Sequence, residues 1–313
     1  MAGTLYICAT PIGNLEDVTL RVLRVLKEVD VIVAEDTRRT RQLLARYGIS
    51  TPLAPSLYQG VEEERTEGVL ALLRAGKNVA LVCDAGTPLI SDPGYPLVRA
   101  CLAEGIAVVP VPGPSAVLAA LVASGLPPQP FLFAGYPPRA VGARKTWLAE
   151  FLALPYTLVF FESPGRLLTT LSLLAELVPE RPVVVARELT KVHEEFVRGK
   201  AREVHAVFAQ REKILGEVVV LVGPAERPGK SASAALEAEE ILAQYEGLLS
   251  QGVSAKEARK ALARRLGLPA RTVYQLILAA RERGQGEGHE PEDSSVCPDA
   301  GGFRGRGGDR QPL

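Results

Sequence analysis

Four turn-rich segments carry the side chains best suited to chemistry. They are ATPIGNLED (9–17), AEDTRRTRQLL (34–44), DAGTPLISDPG (84–94) and VPGPSAVLAAL (111–121). In the first, Pro11 and Gly13 allow a sharp turn and a close approach of backbone to a ligand. It is neither a G-x-G-x-x-G fingerprint nor a Walker A loop, so nicotinamide and nucleoside-triphosphate chemistry have no signature here. The second sets Glu35 and Asp36 beside Arg38, Arg39 and Arg41, guanidinium groups of the type that grips phosphates. Its structural alternative is a solvated helix start whose acids complement the helix dipole. The third holds Asp84, Gly86, Thr87, two prolines and a second acid, Asp92, a rigid loop of the kind that carries function. In the fourth, a Pro-Gly-Pro-Ser turn opens a helix of small residues. Ser115 and Ala116 then offer free amides to a polar ligand.

Each loop follows an apolar run, and these runs alternate with amphipathic stretches. LYICAT (5–10), VDVIVAED (29–36), NVALVCD (78–84) and IAVVPVPG (106–113) read as buried strands. Helical spacing lies between them at 18–29, 62–77 and 95–105, with Thr19 or Asp17 as a cap for the first. Continuous apolar strands alternating with helices predict a parallel sheet covered on both faces, whose ligands sit at the carboxyl ends of its strands. The Pro/Gly run within 121–130 marks a domain crossing. Beyond it, strands at 131–137, 157–163, 182–190 and 216–224, with helices at 145–154 and 165–178, predict a second α/β unit with some antiparallel pairing.

Composition shifts near Lys230. Helices are expected over 235–252, 254–267 and 268–284, with Ser254 and Glu257 forming a capping box. Three helices with a central LGLP turn suggest either a helix-turn-helix or a dimerisation hairpin. Lys256, Arg259, Lys260, Arg264, Arg265 and Arg271 give this unit a basic surface. The tail from Gly284 is too poor in apolar residues to bury a core, and its FRGRGG faintly matches RNA-binding RGG segments. The expected divisions are 1–120, 121–227, 228–284 and a disordered tail at 285–313. Thirty-six basic and 36 acidic residues balance, which argues against binding nucleic acid by bulk charge. Cys8, Cys83, Cys101 and Cys297 form no C-x-x-C pair, and with three histidines no metal site is expected. Unpaired cysteines, no signal peptide and no membrane span fit a cytoplasmic protein.

Together, TPIGNLED, AEDTRRTRQLL, DAGTPLISDPG, PGPSA, FFESPGR and ARELTKVHEE resemble the tetrapyrrole-methylase superfamily, the class III methyltransferases. Within it the chain most resembles the 16S rRNA (cytidine-2′-O)-methyltransferase family (RsmI), from residue 3 to about 224 and again in the helical unit. The resemblance implies two α/β domains with S-adenosyl-L-methionine in the cleft between them, a 16S rRNA substrate in the small ribosomal subunit, and a homodimer. Carried over by motif, Ile12, Gly13, Asp84, Gly86, Thr87, Ser115, Ala116 and Phe161 would bind the cofactor. The family commonly has His after the proline of its ESP-x-R motif. Here that position is Gly165, so no side chain acts there.

A ribose hydroxyl is a poor nucleophile until it loses its proton, so a base or a stabilising cation is needed. Glu162, Glu188 and Lys191 are the candidates, the lysine acting as base if desolvation lowers its pKa. The alternative for Glu188 and Lys191 is a structural ion pair. RNA contact falls to Arg38, Arg39, Arg41, Arg166 and Arg187. Two rival functions stay open: methylation of a tetrapyrrole or another acceptor by the same fold, and a non-catalytic RNA-binding assembly factor. The arginine cluster and the helical unit speak against the first, and Asp84, Thr87 and Ser115 against the second.

Overall fold

The computed structural model describes residues 2–58, 62–225, 233–266 and 270–286. They fall into two compact units, 1–226 and 227–313.

The first unit is built on two sheets. Strands β1 (Thr4–Cys8), β2 (Val31–Ala34), β3 (Val79–Val82) and β4 (Ala107–Val111) form a wholly parallel sheet in the order β2-β3-β1-β4. The helices between them are α1 (Leu20–Glu28), α2 (Thr37–Arg46), α3 (Glu62–Arg74) and α4 (Tyr95–Ala103). Of the two caps considered for α1, Thr19 serves: its hydroxyl accepts the Val22 N–H at 3.2 Å. One core holds Val22, Leu26 and Leu43 against Ile32 and Ala80, and another holds Leu70, Leu73 and Leu97 against Leu5 and Leu81. Side chains that alternate along β3 therefore serve opposite faces, which is why all four of its residues are apolar and buried.

The second sheet runs β5 (Phe131–Phe133), β6 (Thr157–Glu162), β9 (Val218–Val222), β7 (Pro182–Arg187) and β8 (Glu195–Lys200). β5 and β6 are parallel, and β9 lies antiparallel to both β6 and β7. Helices α6 (Val141–Leu152), α7 (Pro164–Leu177) and α8 (Ala201–Ala209) belong to this half, where Leu148, Leu167, Leu171, Val204 and Phe208 form its core with Phe160 and Val220. α6 begins four residues before the expected start, because the expectation followed only its apolar stretch. Helix α5 (Ala116–Ser124) crosses the expected division at 120 and packs Val117, Ala120 and Leu121 on Val159, Val184 and Leu221 of the second sheet. The chain thus changes sheets at the Pro-Gly-Pro-Ser turn, ahead of the proline-rich run.

In the second unit, α9 (Ser233–Ser250), α10 (Ala255–Leu266) and α11 (Ala270–Gly286) share a core of Ile241, Tyr245, Leu262, Val273 and Ile277. The Ser254 hydroxyl accepts the Glu257 N–H at 3.3 Å and donates to the Glu257 carboxylate at 2.7 Å. Most of the expected LGLP turn and the tail beyond Gly286 lie outside the described residues.

Candidate functional site

The loops after β1, β2, β3 and β4 are tied to one another by hydrogen bonds. Thr10 and Gly86 exchange backbone bonds of 2.8 and 3.0 Å. The Thr10 hydroxyl donates to Cys83 O at 3.1 Å, and the Thr87 hydroxyl donates to Pro114 O at 3.1 Å. Asp84 accepts the Asp36 N–H at 3.0 Å on one carboxylate oxygen and faces the Arg39 Nε at 3.5 Å with the other. Gly86 makes this knot possible: its φ of +84° is left-handed, and an added Cβ would stand 3.4 Å from Ile12.

From the second sheet, the loop 188–191 closes against the first. A Cβ on Gly13 would lie 2.5 Å from Lys191 Cγ and 2.7 Å from Thr190 Oγ1, so only glycine fits there. The Asn14 N–H donates to that same Thr190 hydroxyl at 3.0 Å. Four non-glycine residues among the described ones have positive φ: Leu89, Ser91, Glu188 and Thr190. All four lie in the two loops that line the space between the sheets, where stored backbone strain is characteristic of binding sites.

That space is a cavity of about 340 Å³. Ile12, Ala116, Val117, Phe161, Leu189, Val218 and Val219 give it apolar walls, while Asp84, Thr87, Ser115, Glu35 and Asp92 supply polar groups. Seven of the eight residues expected to bind a cofactor line it: Ile12, Asp84, Gly86, Thr87, Ser115, Ala116 and Phe161. Gly13 lines an adjoining hollow with Ile12, Asp84, Arg39 and Lys191. Phe161 is held edge-on by Phe133, 4.9 Å between ring centres, and by Tyr136 at 5.4 Å. Ser115 is the residue before α5, and its hydroxyl makes no capping bond, which leaves the first-turn amides free.

Electrostatically the cavity is acidic. Burial, then the neighbouring Asp92 and Asp84 carboxylates, raise the pKa of Glu35. Asp92 is pushed up to about 6, chiefly by burial and further by Asp84, with the Cys83 thiol pulling the other way. Such a field suits a positively charged ligand.

Each of the three candidate catalytic residues is engaged by the protein's own groups. Glu162 has no exposed side-chain surface, and its carboxylate is spent on the Thr170 hydroxyl at 2.6 Å, the Ser163 N–H at 2.8 Å and Arg166 at 2.7 Å. Enclosed in this way at the cavity wall, it holds Ser163 and Arg166 in place. Glu188 and Lys191 are an ion pair at 2.7 Å, the alternative weighed for them. The hydrogen bond from Lys191, then the Glu217 N–H, hold Glu188 below the ordinary carboxylate range. Burial alone would lower the Lys191 ammonium, but Glu188 and Glu217 outweigh it and raise its pKa, so desolvation does not make it a base.

The arginines scatter. Arg39 reaches the cavity. Arg38 is bound to Asp36, the α2 cap, at 2.7 Å, so the helix-start alternative describes that pair. Arg41 is exposed on α2. Arg166 lines a neighbouring cavity with Arg139, whereas Arg187 is locked to Glu195 at 3.0 Å on the sheet and lines no cavity described here. Sequence reasoning passed over Tyr136, Glu217, Val218 and Val219. Tyr136 follows a strand and was findable. Glu217 precedes β9, and Val218 and Val219 begin it; β9 runs antiparallel, so its amino end lies where its neighbours' carboxyl ends do.

The family described as Tetrapyrrole (Corrin/Porphyrin) Methylases matches residues 4–205. A Ribosomal RNA small subunit methyltransferase I of Thermotoga maritima is 49% identical over 220 residues, covering 70% of this chain and 98% of the relative. Its counterpart in Mesorhizobium japonicum is 43% identical over 286 residues, 91% of this chain and 95% of the relative. Among solved structures, uroporphyrin-III C-methyl transferase from Thermus thermophilus, complexed with S-adenyl homocysteine, matches with a TM-score of 0.51 and 25% identity. That match covers 70% of this chain and 97% of the other. The chain belongs to the tetrapyrrole methylase family, in the branch that holds the small-subunit ribosomal RNA methyltransferases I.

Proposed function

We propose that this protein transfers a methyl group from S-adenosyl-L-methionine to 16S ribosomal RNA, and that the acceptor is the 2′-oxygen of a cytidine ribose. The observation that carries this reading is the gathering of seven motif residues, up to 149 positions apart in the chain, around one cavity in a chain 49% identical to a ribosomal RNA methyltransferase.

The cavity fits the cofactor. Ile12, Phe161, Leu189 and Val219 offer a face to an adenine ring, Asp84 and Thr87 offer acceptors to hydroxyl and amino groups, and the start of α5 offers amides. The acids Glu35 and Asp84 complement a sulfonium and an ammonium. Bound there, the cofactor supplies an already activated methyl group. What the protein adds is alignment: the bonded loops fix Asp84 and Thr87, and the Phe133–Phe161–Tyr136 stack fixes one wall. RNA contact is assigned to Arg39, Arg41 and Arg166 near the site and to the exposed Lys256, Lys260, Arg264 and Arg265 of α10. Arg38 and Arg187 contribute less, because each is paired with a carboxylate and neither lines one of these cavities.

A tetrapyrrole acceptor is the less favoured reading, since identity to the porphyrin enzyme is 25% against 49% to the ribosomal RNA enzyme. A non-catalytic role is less favoured because the donor cavity keeps its polar residues. An assembled small subunit as substrate, a homodimer and a cytoplasmic location belong to the same proposal, carried by the resemblance. No helix among the described residues is long and apolar enough to cross a membrane.

The test is direct. Small subunits from a strain lacking the gene are incubated with the protein and labelled cofactor, and the rRNA is digested to nucleosides for mass spectrometry. Labelled 2′-O-methylcytidine is expected. A label on a base, or none, would refute the acceptor assignment.

A further inference from the structure

Beside the donor cavity lies a second one of about 900 Å³, roomy enough for a nucleotide. Glu35, Ser91, Asp92, Tyr136 and Ser163 line both, so they form the wall across which two bound molecules would meet. The far side of the second cavity carries Arg139 and Arg166. These arginines are held in place by a buried chain of hydrogen bonds. Arg144, 2% exposed, donates to Pro138 O, Arg139 O and the Thr170 hydroxyl at 2.8–3.0 Å. Thr170 in turn donates to Glu162, which holds Arg166. Arg166 is therefore neutralised. Arg139 is exposed, and among the described residues no carboxylate pairs with it.

Three carboxylates border the second cavity. Glu62 accepts the Gly94 N–H at 2.6 Å. Glu35 accepts the Asp84 N–H at 3.4 Å and feels Arg39. Among the described residues, Asp92 has the Cys83 thiol as its hydrogen-bond partner and no cation. Its backbone is fixed between Ser91, at φ +67°, and Pro93. A half-buried acid with spare lone pairs, on a rigid turn at the wall between two cavities, is costly to keep unless it acts.

We propose that the cavity beside the donor site receives the acceptor nucleotide, with Arg139 on its phosphate, and that Asp92 takes the proton from the acceptor hydroxyl. This rests on the methyl-transfer reading above. As the hydroxyl oxygen bonds to the methyl carbon, its proton passes to the Asp92 carboxylate, and the electron pair of the breaking sulfur–carbon bond stays on sulfur. The titratable and charged groups around Asp92 are Cys83, Asp84 and Glu35 from the first sheet and, lining the same cavity, Glu62 from α3, Tyr136 and Arg139 from the loop after β5, and the paired Arg166 from α7. A pKa raised to about 6 keeps the carboxylate largely ionised at neutral pH while making it a better proton acceptor than an ordinary aspartate.

The experiment uses the full chain, undermethylated small subunits and single-turnover kinetics. Asp92→Asn should slow methyl transfer by at least about 100-fold, the size of a lost general base, while S-adenosylhomocysteine binding by calorimetry changes less than about threefold. The wild-type rate should fall about tenfold per pH unit below pH 6. Carbon-13 NMR of the protein alone should show the same titration, absent from the variant. Arg139→Ala should weaken RNA binding by about tenfold and leave S-adenosylhomocysteine binding unchanged. The proposal is overturned by wild-type transfer in Asp92→Asn, by a loss of cofactor affinity matching the loss of rate, or by a flat profile from pH 5 to 8. The pH profile decides even where the variant fails to fold. A wild-type protein that methylates no RNA would remove the underlying reading as well, a result separable from an active enzyme indifferent to Asp92.

Discussion

At Asp84 both carboxylate oxygens are engaged before any ligand arrives, one by the Asp36 N–H and one by Arg39. The residue therefore joins two loops and also lines the cavity. Asp84→Ala should weaken cofactor binding by about tenfold or more, the scale of a lost charged hydrogen bond, and the chain should still fold because the sheet beneath is apolar. Unchanged affinity by calorimetry would count against the assignment. Asp92 has the opposite character. Its folded pKa, about 6, stands above the ordinary 3.8, so folding favours the protonated form. Its contribution to stability is then full below pH 3.8 and is lost as pH rises through 6. Asp92→Asn should accordingly melt higher than wild type at pH 8, and the gap should shrink at pH 4. A gap that widens on acidification would mean the carboxylate is stabilised by a partner instead.

Elements matter here through their ends. α5 starts at the cavity and buries one side on the second sheet, so the turn that presents Ser115 is anchored by the core of the other half. The loop 188–191 presses on Gly13 so closely that any side chain would push it away. Gly13→Ala should open this seam and reduce cofactor affinity at least about tenfold, since misplacement by an ångström is costly in an aligned site. Calorimetry at unchanged melting temperature would show it. Arg144 makes the same point for the second cavity. Replacing it with Met leaves the Pro138 and Arg139 carbonyls and the Thr170 hydroxyl without their donor. A loss of about 3 kcal/mol in chemical denaturation is expected.

For the whole molecule, the division at 226 separates the unit that holds the cavity from the unit that holds the basic helix. Ending the chain at residue 226 should leave cofactor affinity within about twofold and weaken RNA binding by roughly tenfold or more, as several phosphate contacts would be lost. Filter binding at two salt concentrations would check it, the truncated form showing the shallower salt dependence. Full RNA affinity in the shortened chain would deny the helical unit a substrate role.

The sequence by itself determined the parallel sheet, because strands buried on both faces must be apolar throughout, as VALV of β3 is. It also pointed to the loops that line the cavity, since proline, glycine and acid gather at the carboxyl ends of those strands. It could not reveal β9's share of the site, because strand direction leaves no mark on a run of valines. Nor could it tell which carboxylates are free. Glu162, Glu188 and Asp92 are alike as letters, and only packing decided that Thr170 and Arg166 engage the first, Lys191 the second, and no cation among the described residues the third. Burial and pairing are made by residues far apart in the chain, so the chemistry of an acid is a property of the fold.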